Sequence, residues 1–225
     1  MAAPGTLTGM PETFRLVVVP GVTVDKWARL WTERQPGVDL RILPADGDPA
    51  GALLDGRAEA GLLRLPVDQG AFHAIPLYTE ATVVVVPREH HLAAADELTL
   101  EEFAGEPLLL PEDDVLAWPS GPGPAPPDRP ATTAGAVELV AAEVGILLVP
   151  QSLARLHHRR DLTYRVVTDA PTSSVALVWP RAGHTDLVEE MIGIVRGRTV
   201  NSTRGSAPVA PPEKRGATRK RRAPK

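Results

Sequence analysis

One stretch restricts the fold more than any other: Thr132 to Leu156, TTAGAVELVAAEVGILLVPQSLARL. Val137, Val140, Ala141 and Val144 recur at i, i+3, i+4 and i+7, which places one apolar stripe on a helix. Thr132 or Thr133 precedes that stripe and can cap it, because a hydroxyl accepts an orphan backbone N–H. Gly145 is expected to end the helix by supplying a positive φ. Ile146, Leu147, Leu148 and Val149 form an unbroken apolar run, as a strand covered on both faces requires. Pro150 suits a first helical turn, and a second helix begins there. Helix, strand and helix with so little slack belong to an α/β fold. In helix-covered parallel sheets, ligands bind beyond the carboxyl ends of strands, near helix N-termini. The N–H groups around Thr132 and Thr133 are therefore candidates to line a pocket.

The rest of the chain repeats the alternation. Phe14 to Val19 reads as a strand, and Pro20-Gly21 as a turn. Thr23 stands where a cap would open a helix whose stripe is Val24, Trp27, Ala28 and Trp31. Val38 to Leu43 is a second strand, so the first unit is βαβ with a right-handed crossover. A short helix over Pro49–Arg57 and a strand over Ala60–Leu65 follow. Ile75 to Pro87 holds the longest β-branched run, TVVVVP. Thr99 and Glu102 make a capping box, with Leu98 and Phe103 placed to staple it. Leu108 to Leu110 is a brief strand. Residues 117–131, AWPSGPGPAPPDRPA, contain six prolines and two glycines, and no helix or central strand can run through them. Leu162 to Val167 and Ser174 to Trp179 are strands. Thr185 opens a last helix with the stripe Val188, Met191, Ile192 and Val195.

Charge divides the chain in two. The net charge of −4 separates into +7 from Asn201 onward and −11 before it. Residues 1–13 and 201–225 have little to bury and read as disordered. Lys214, Arg215, Arg219, Lys220, Arg221 and Arg222 give the tail a surface for phosphates, nucleic acid included, through salt-sensitive and non-specific contacts. The same tail could equally be a solubilising one. There is no cysteine, and hence no disulfide framework or thiolate chemistry. The first residues carry no export signal, and no run has the length of a membrane span, so a cytoplasmic protein without membrane contact is expected. No nucleophile elbow, phosphate-binding loop or dinucleotide glycine pattern occurs, and no cofactor is expected. His90-His91 and His157-His158 are neighbours in sequence, whose side chains diverge on helices and strands, so no metal site is expected.

With these elements in place, FHAIPLYTEATVVVVPREHHLAAADELTLEEFAGEPLLLPED resembles the middle of the effector-binding domain of LysR-type transcriptional regulators. The matching pieces are Pro76-Leu77-Tyr78, Val83 to Pro87, His91-Leu92-Ala93, Leu98 to Ala104 and Glu106 to Leu110. The stretch containing Val137 to Pro150 resembles the family's "slealvaaGlGiallP". The resemblance covers roughly residues 14–196, and it is the order and spacing of the pieces that make it specific.

The resemblance implies a two-lobed fold of the type II periplasmic-binding-protein kind, with mostly parallel sheets and a small-molecule site between the lobes. Within a domain of residues 14–200, lobe one would hold 14–84 and 176–197, and lobe two 88–167. The crossings would lie near Val83–Pro87 and Thr168–Val175. It implies an effector-binding regulatory domain rather than an enzyme, acting on a small organic ligand. It would pair as a homodimer, or as a heterodimer with a LysR-type regulator. An enzyme on the same fold, or a nucleic-acid-associated protein working through the tail, are the other readings.

The candidate ligand residues are Thr23, Val24, Arg64, Glu112, Asp113, Trp118, Thr132 and Thr133. Thr23 and Val24 open the first helix, and a plain cap is the alternative role. Arg64 ends a strand and could grip an anion in bidentate fashion, or stand at the surface. Glu112 and Asp113, with Asp114, form an acidic loop that would repel a carboxylate, bind an amine or simply face solvent. Trp118 could close on a ligand or anchor the proline loop.

Three departures from the family stand out. Thirteen residues cannot hold the family's winged helix-turn-helix. Glu143 replaces the first glycine of "GlG". The proline-rich segment stands where the family has a helix. In addition, the acid of the family's "gelDlai" strand corresponds to Ala60.

Overall fold

The computed structural model describes residues 12–45, 47–118 and 128–198. It contains two five-stranded sheets, each with its own helices. The first sheet is built from β1 (Glu12–Val18), β2 (Val38–Pro44), β3 (Ala60–Arg64), β4 (Phe72–Glu80) and β10 (Ser173–Pro180), in the order β2-β1-β3-β10-β4. The second is built from β5 (Thr82–Pro87), β6 (Glu97–Leu98), β7 (Leu108–Leu109), β8 (Ile146–Pro150) and β9 (Leu162–Val167), in the order β6-β9-β5-β8-β7. The helices are α1 (Asp25–Arg34), α2 (Pro49–Leu54), α3 (Thr133–Ala141), α4 (Gln151–Leu156) and α5 (Asp186–Val195).

Alternation along the strands makes each sheet a two-sided core. In β1, Phe14, Leu16 and Val18 meet α1 and α5, while Val17 packs with Leu53 of α2 on the other face. In β8, Leu147 and Val149 face α3 and α4, and Ile146 and Leu148 face the short 3-10 turns of the second lobe. The unbroken apolar run therefore has the reason expected of it: both faces are covered. Trp31 is fully buried, stacks on Phe14 with ring centroids 4.6 Å apart, and donates its indole N–H to the Val38 carbonyl. It is the one buried member of the stripe expected on α1; Val24, Trp27 and Ala28 are partly covered.

The chain passes between lobes twice. Ile75 to Pro87 is two strands in different sheets, so the first crossing is at Ala81, ahead of the expected Val83–Pro87. The second runs from Thr168 to Thr172, between β9 and β10. β5 and β10 are the strands that enter a sheet from the other lobe, and both run antiparallel to both of their neighbours. The sheets are accordingly half parallel and half antiparallel, not mostly parallel. Pro76 lies on β4, an edge strand, where its missing N–H is tolerated. The register of β10 slips opposite it, between Val175 and Ala176.

Several expected boundaries move for local reasons. β1 begins at Glu12 because Val38 and its neighbours pair with it from that residue on. α2 stops at Leu54, short of Arg57, and is capped by Asp48, which accepts from Gly51 N–H. α3 ends at Ala141, so Val144 falls outside the helix and is half exposed, while Ala136 takes its place in the core. The positive φ after α3 belongs to Glu143 (58°), not Gly145. Gly145 is needed for space instead: a Cβ there would meet the Pro107 carbonyl oxygen at 2.3 Å, where the chain closes against the residue before β7. Thr185 caps α5 through Val188 N–H, and the stripe of Val188, Met191 and Ile192 is buried as expected.

Candidate ligand-binding cleft

The sides of β3, β4 and β10 that end at the crossings bring together charges that the sequence keeps far apart. Arg64 closes β3 and Glu80 closes β4, and they form a largely buried ion pair at 2.9 Å, with side chains 8% and 12% exposed. The Arg64 guanidinium also donates to Ser173 Oγ at 2.8 Å, to Ser152 Oγ at 3.0 Å and to the Pro20 carbonyl at 3.3 Å. Ser152 sits on α4 in the second lobe, and its hydroxyl donates to Glu80 at 2.8 Å. One buried network thus ties both lobes to the hinge. Gly21, at φ 86°, lies against the same serine: a Cβ there would come within 2.6 Å of Ser152 Oγ. Only a residue without a side chain fits both that φ and that approach.

Next to the network is a cavity of about 820 Å³ between the lobes. Lobe one lines it with Val19, Pro20, Leu63, Arg64 and Phe72, and lobe two with Asp113, Val115, Thr132, Thr133 and Leu153. This size and a mainly apolar lining with few polar groups are what a small-molecule site requires. A second hollow of about 510 Å³ lies on the other side of the hinge, lined by Gly21, Thr23, Tyr78, Glu80, Ser152 and Arg155. Leu156 borders both.

The N-terminus of α3 opens into the larger cavity and is closed by side chains. Thr132 Oγ accepts from Gly135 N–H at 3.1 Å. Asp113 Oδ1 accepts from both the backbone N–H and the hydroxyl of Thr133, at 2.6 and 2.8 Å. Two of the three first-turn N–H groups are therefore already used. A carboxylate at this end is also favoured by the helix dipole. Asp114, the next residue, accepts from Leu116 N–H and from the Trp118 indole. Burial pushes its carboxyl above the usual aspartate value, against the pull of those hydrogen bonds. Burial, and then the Glu80 charge, likewise raise the Tyr78 phenol.

The remaining expected residues separate. Thr23 is exposed and lines the smaller hollow. It does not cap α1, because Val24 occupies the cap position with a nearly helical ψ of −7° and no side-chain bond is made there. Val24 and Glu112 border neither space. Trp118 packs on the core beneath β5 and anchors the start of the proline-rich segment through Asp114. That segment from 119 to 127 and the basic tail residues Lys214, Arg215, Arg219, Lys220, Arg221 and Arg222 lie outside the described residues.

His90 and His91 do not diverge. They sit in a turn entering a 3-10 helix, their rings stack at 4.5 Å, and Glu106 lies 3.5 and 3.6 Å from their Nε2 atoms. His90 Nδ1 accepts from Leu92 N–H, which leaves the proton of the neutral ring on Nε2, facing Glu106. Sequence reasoning missed Glu80, Ser152 and Asp68, of which Asp68 lines the main cavity. Glu80 and Ser152 carry no local signal, because their partners are distant in the chain, while the Asp68 side chain bonds locally, to Gly70 N–H.

Two α/β lobes, joined by two crossing segments and enclosing a cavity at the hinge, define a domain of the periplasmic-binding-protein-like kind. The sequence model of the LysR substrate binding domain matches residues 9–199, and the chain belongs to that family. It is 28% identical over 218 residues to a probable hydrogen peroxide-inducible genes activator of Mycobacterium avium, covering 89% of this chain and 70% of that protein. It is 30% identical over 149 residues to the HTH-type transcriptional regulator CatR of Pseudomonas putida, covering 59% and 48%. Among solved structures, the BenM effector binding domain with its effector benzoate aligns with a TM-score of 0.69 at 22% identity, covering 84% of this chain and 95% of that one. The reduced form of OxyR aligns at 0.67 and 20% identity, covering 85% and 97%. These two likenesses concern the fold. Among the described residues no helix is long and apolar enough to cross a membrane.

Proposed function

We propose that this chain senses a small organic molecule in the cavity between its lobes and passes the event to a partner regulator, either a second copy or a LysR-type protein. The observation that supports this most is the cavity of about 820 Å³ lined from both lobes, set against a hinge where Arg64, Glu80 and Ser152 already couple them. A ligand that touches both banks stabilises the closed arrangement more than the open one, and that difference in affinity is what shifts the population. Thr132 and Thr133 form one bank, Arg64 and Phe72 the other. The one carboxylate that meets a hydroxyl in the cavity among the described residues, Asp113 on Thr133, also closes the end of α3, and we read the site as one that binds without turnover.

A thermal-shift screen of metabolites tests the reading. A compound present at a hundredfold excess over its dissociation constant adds about 2.7 kcal/mol, which is roughly 5–10 °C for a domain of this size. A hit should also move the backbone amide resonances of Thr132, Thr133 and Arg64. Hits that perturb only residues far from the cavity would contradict the proposal.

A further inference from the structure

We infer that the cleft selects a ligand with an apolar body and a cationic, amine-type head, and rejects carboxylates. This deepens the proposed effector-binding role and rests on it. Two devices in the cleft could hold an anion, and each is already neutralised by the chain's own carboxylate. The Arg64 guanidinium is spent on Glu80, two hydroxyls and a carbonyl. At the N-terminus of α3, Asp113 and Thr132 take two of the three first-turn N–H groups. An incoming carboxylate would have to displace Glu80 from Arg64 and leave an uncompensated buried charge, or stand beside the like charge of Asp113 at the one N–H left on α3.

What the cavity then shows a ligand is acidic. Among the described residues, its titratable lining is Arg64, Asp68, Asp113, Asp114 and His157. With the Arg64 charge paired to Glu80, three carboxylates outnumber the single histidine. Arg129, the cation next to Asp114, is turned to the Leu110 and Pro111 carbonyls. Among the described residues, Asp113 takes its two hydrogen bonds on Oδ1, which leaves Oδ2 to receive a donor. The apolar part of the ligand is provided for by Val115 and Leu156, residues 36% and 54% exposed that line the cavity. An ammonium group near Asp113 and Asp68, with its hydrocarbon against Val115, Leu156 and Phe72, fits the charges without moving the Arg64–Glu80 pair or the Asp113 cap.

Three probes of one shape decide it: tryptamine, its neutral alcohol tryptophol, and indole-3-acetate. Each is titrated into the full chain at low ionic strength, with backbone amide shifts at Thr132, Thr133 and Arg64 as the readout. The expected order of affinity is tryptamine, then tryptophol, then indole-3-acetate. Tryptamine should weaken roughly fivefold in Asp113→Asn and again in Asp68→Asn, the worth of a partly exposed charge contact. Asp68→Asn keeps an acceptor for Gly70 N–H, so it reads the charge even if the Asp113 variant fails to fold. Indole-3-acetate binding first, in this cleft, overturns the charge selection and leaves the effector-binding role standing. Shifts at these amides by none of the probes overturn the amine selection, and the metabolite screen then decides the effector-binding role by itself.

Discussion

Helices α1 and α3 start from the same cue, a threonine just before an apolar stripe, and end in opposite states. On α3, Thr132 caps Gly135 and Asp113 closes Thr133 from 20 residues away. On α1, Thr23 makes no cap and lines the smaller hollow instead, and Val24 stands in its place. A local residue makes a cap possible, and a distant one decides whether a helix end is left open to ligands. Arg64 teaches the same lesson in lobe one. At the end of a strand it reads as an anion clamp or a surface arginine, and Glu80, 16 residues on, pairs with it in a largely buried setting.

If distant partners decide the state of the cleft, removing one should cost more than removing a local cap. Glu80→Ala leaves Arg64 buried without its counter-charge and is expected to destabilise by about 3–5 kcal/mol in urea denaturation. A cost no larger than that of a surface change would show that the pair is dispensable to the hinge. Thr132→Ala should cost about 1 kcal/mol, the worth of one N-cap. Thr23→Ala should fall within about 0.5 kcal/mol of the parent, as for a surface change. Equal losses for the two threonines would erase the contrast between α1 and α3.

The smallest effect concerns Asp114. Its folded carboxyl is held above the ordinary value of 3.8 by burial. Folding therefore binds a proton over the window between that value and the raised one. The contribution is most favourable at low pH and is lost as pH rises through the folded pKa. Asp114→Asn should remove this part of the pH dependence. Urea midpoints of parent and variant, compared across the acid range, should show the parent losing ground as pH increases. A constant difference between them would contradict the sign.

The parts of the fold legible in the sequence are those written in short-range spacing. Thr185 lies three residues before Val188, and the N–H and hydroxyl of Thr99 both reach Glu102. The four residues Ile146 to Val149 divide between two cores by alternation alone. The site was legible only in part. Thr132, Thr133, Asp113 and Arg64 do line the cavity, yet the bonds that set their availability run between elements. Glu143 shows the limit in another way: the end of α3 takes a left-handed φ at a glutamate, while Gly145 serves a close approach by Pro107 that no spacing rule reports.

Closure of the lobes on a bound molecule is the centre of the account, and a distance across the hinge measures it. The chain has no cysteine, so Glu33→Cys on α1 and Leu139→Cys on α3 give two unique, exposed sites for spin labels. Pulsed dipolar spectroscopy with saturating tryptamine, or with the strongest hit of the metabolite screen, should give a shorter and narrower distance distribution than the free protein. A distribution unchanged by a compound shown to occupy the cavity would contradict sensing by closure.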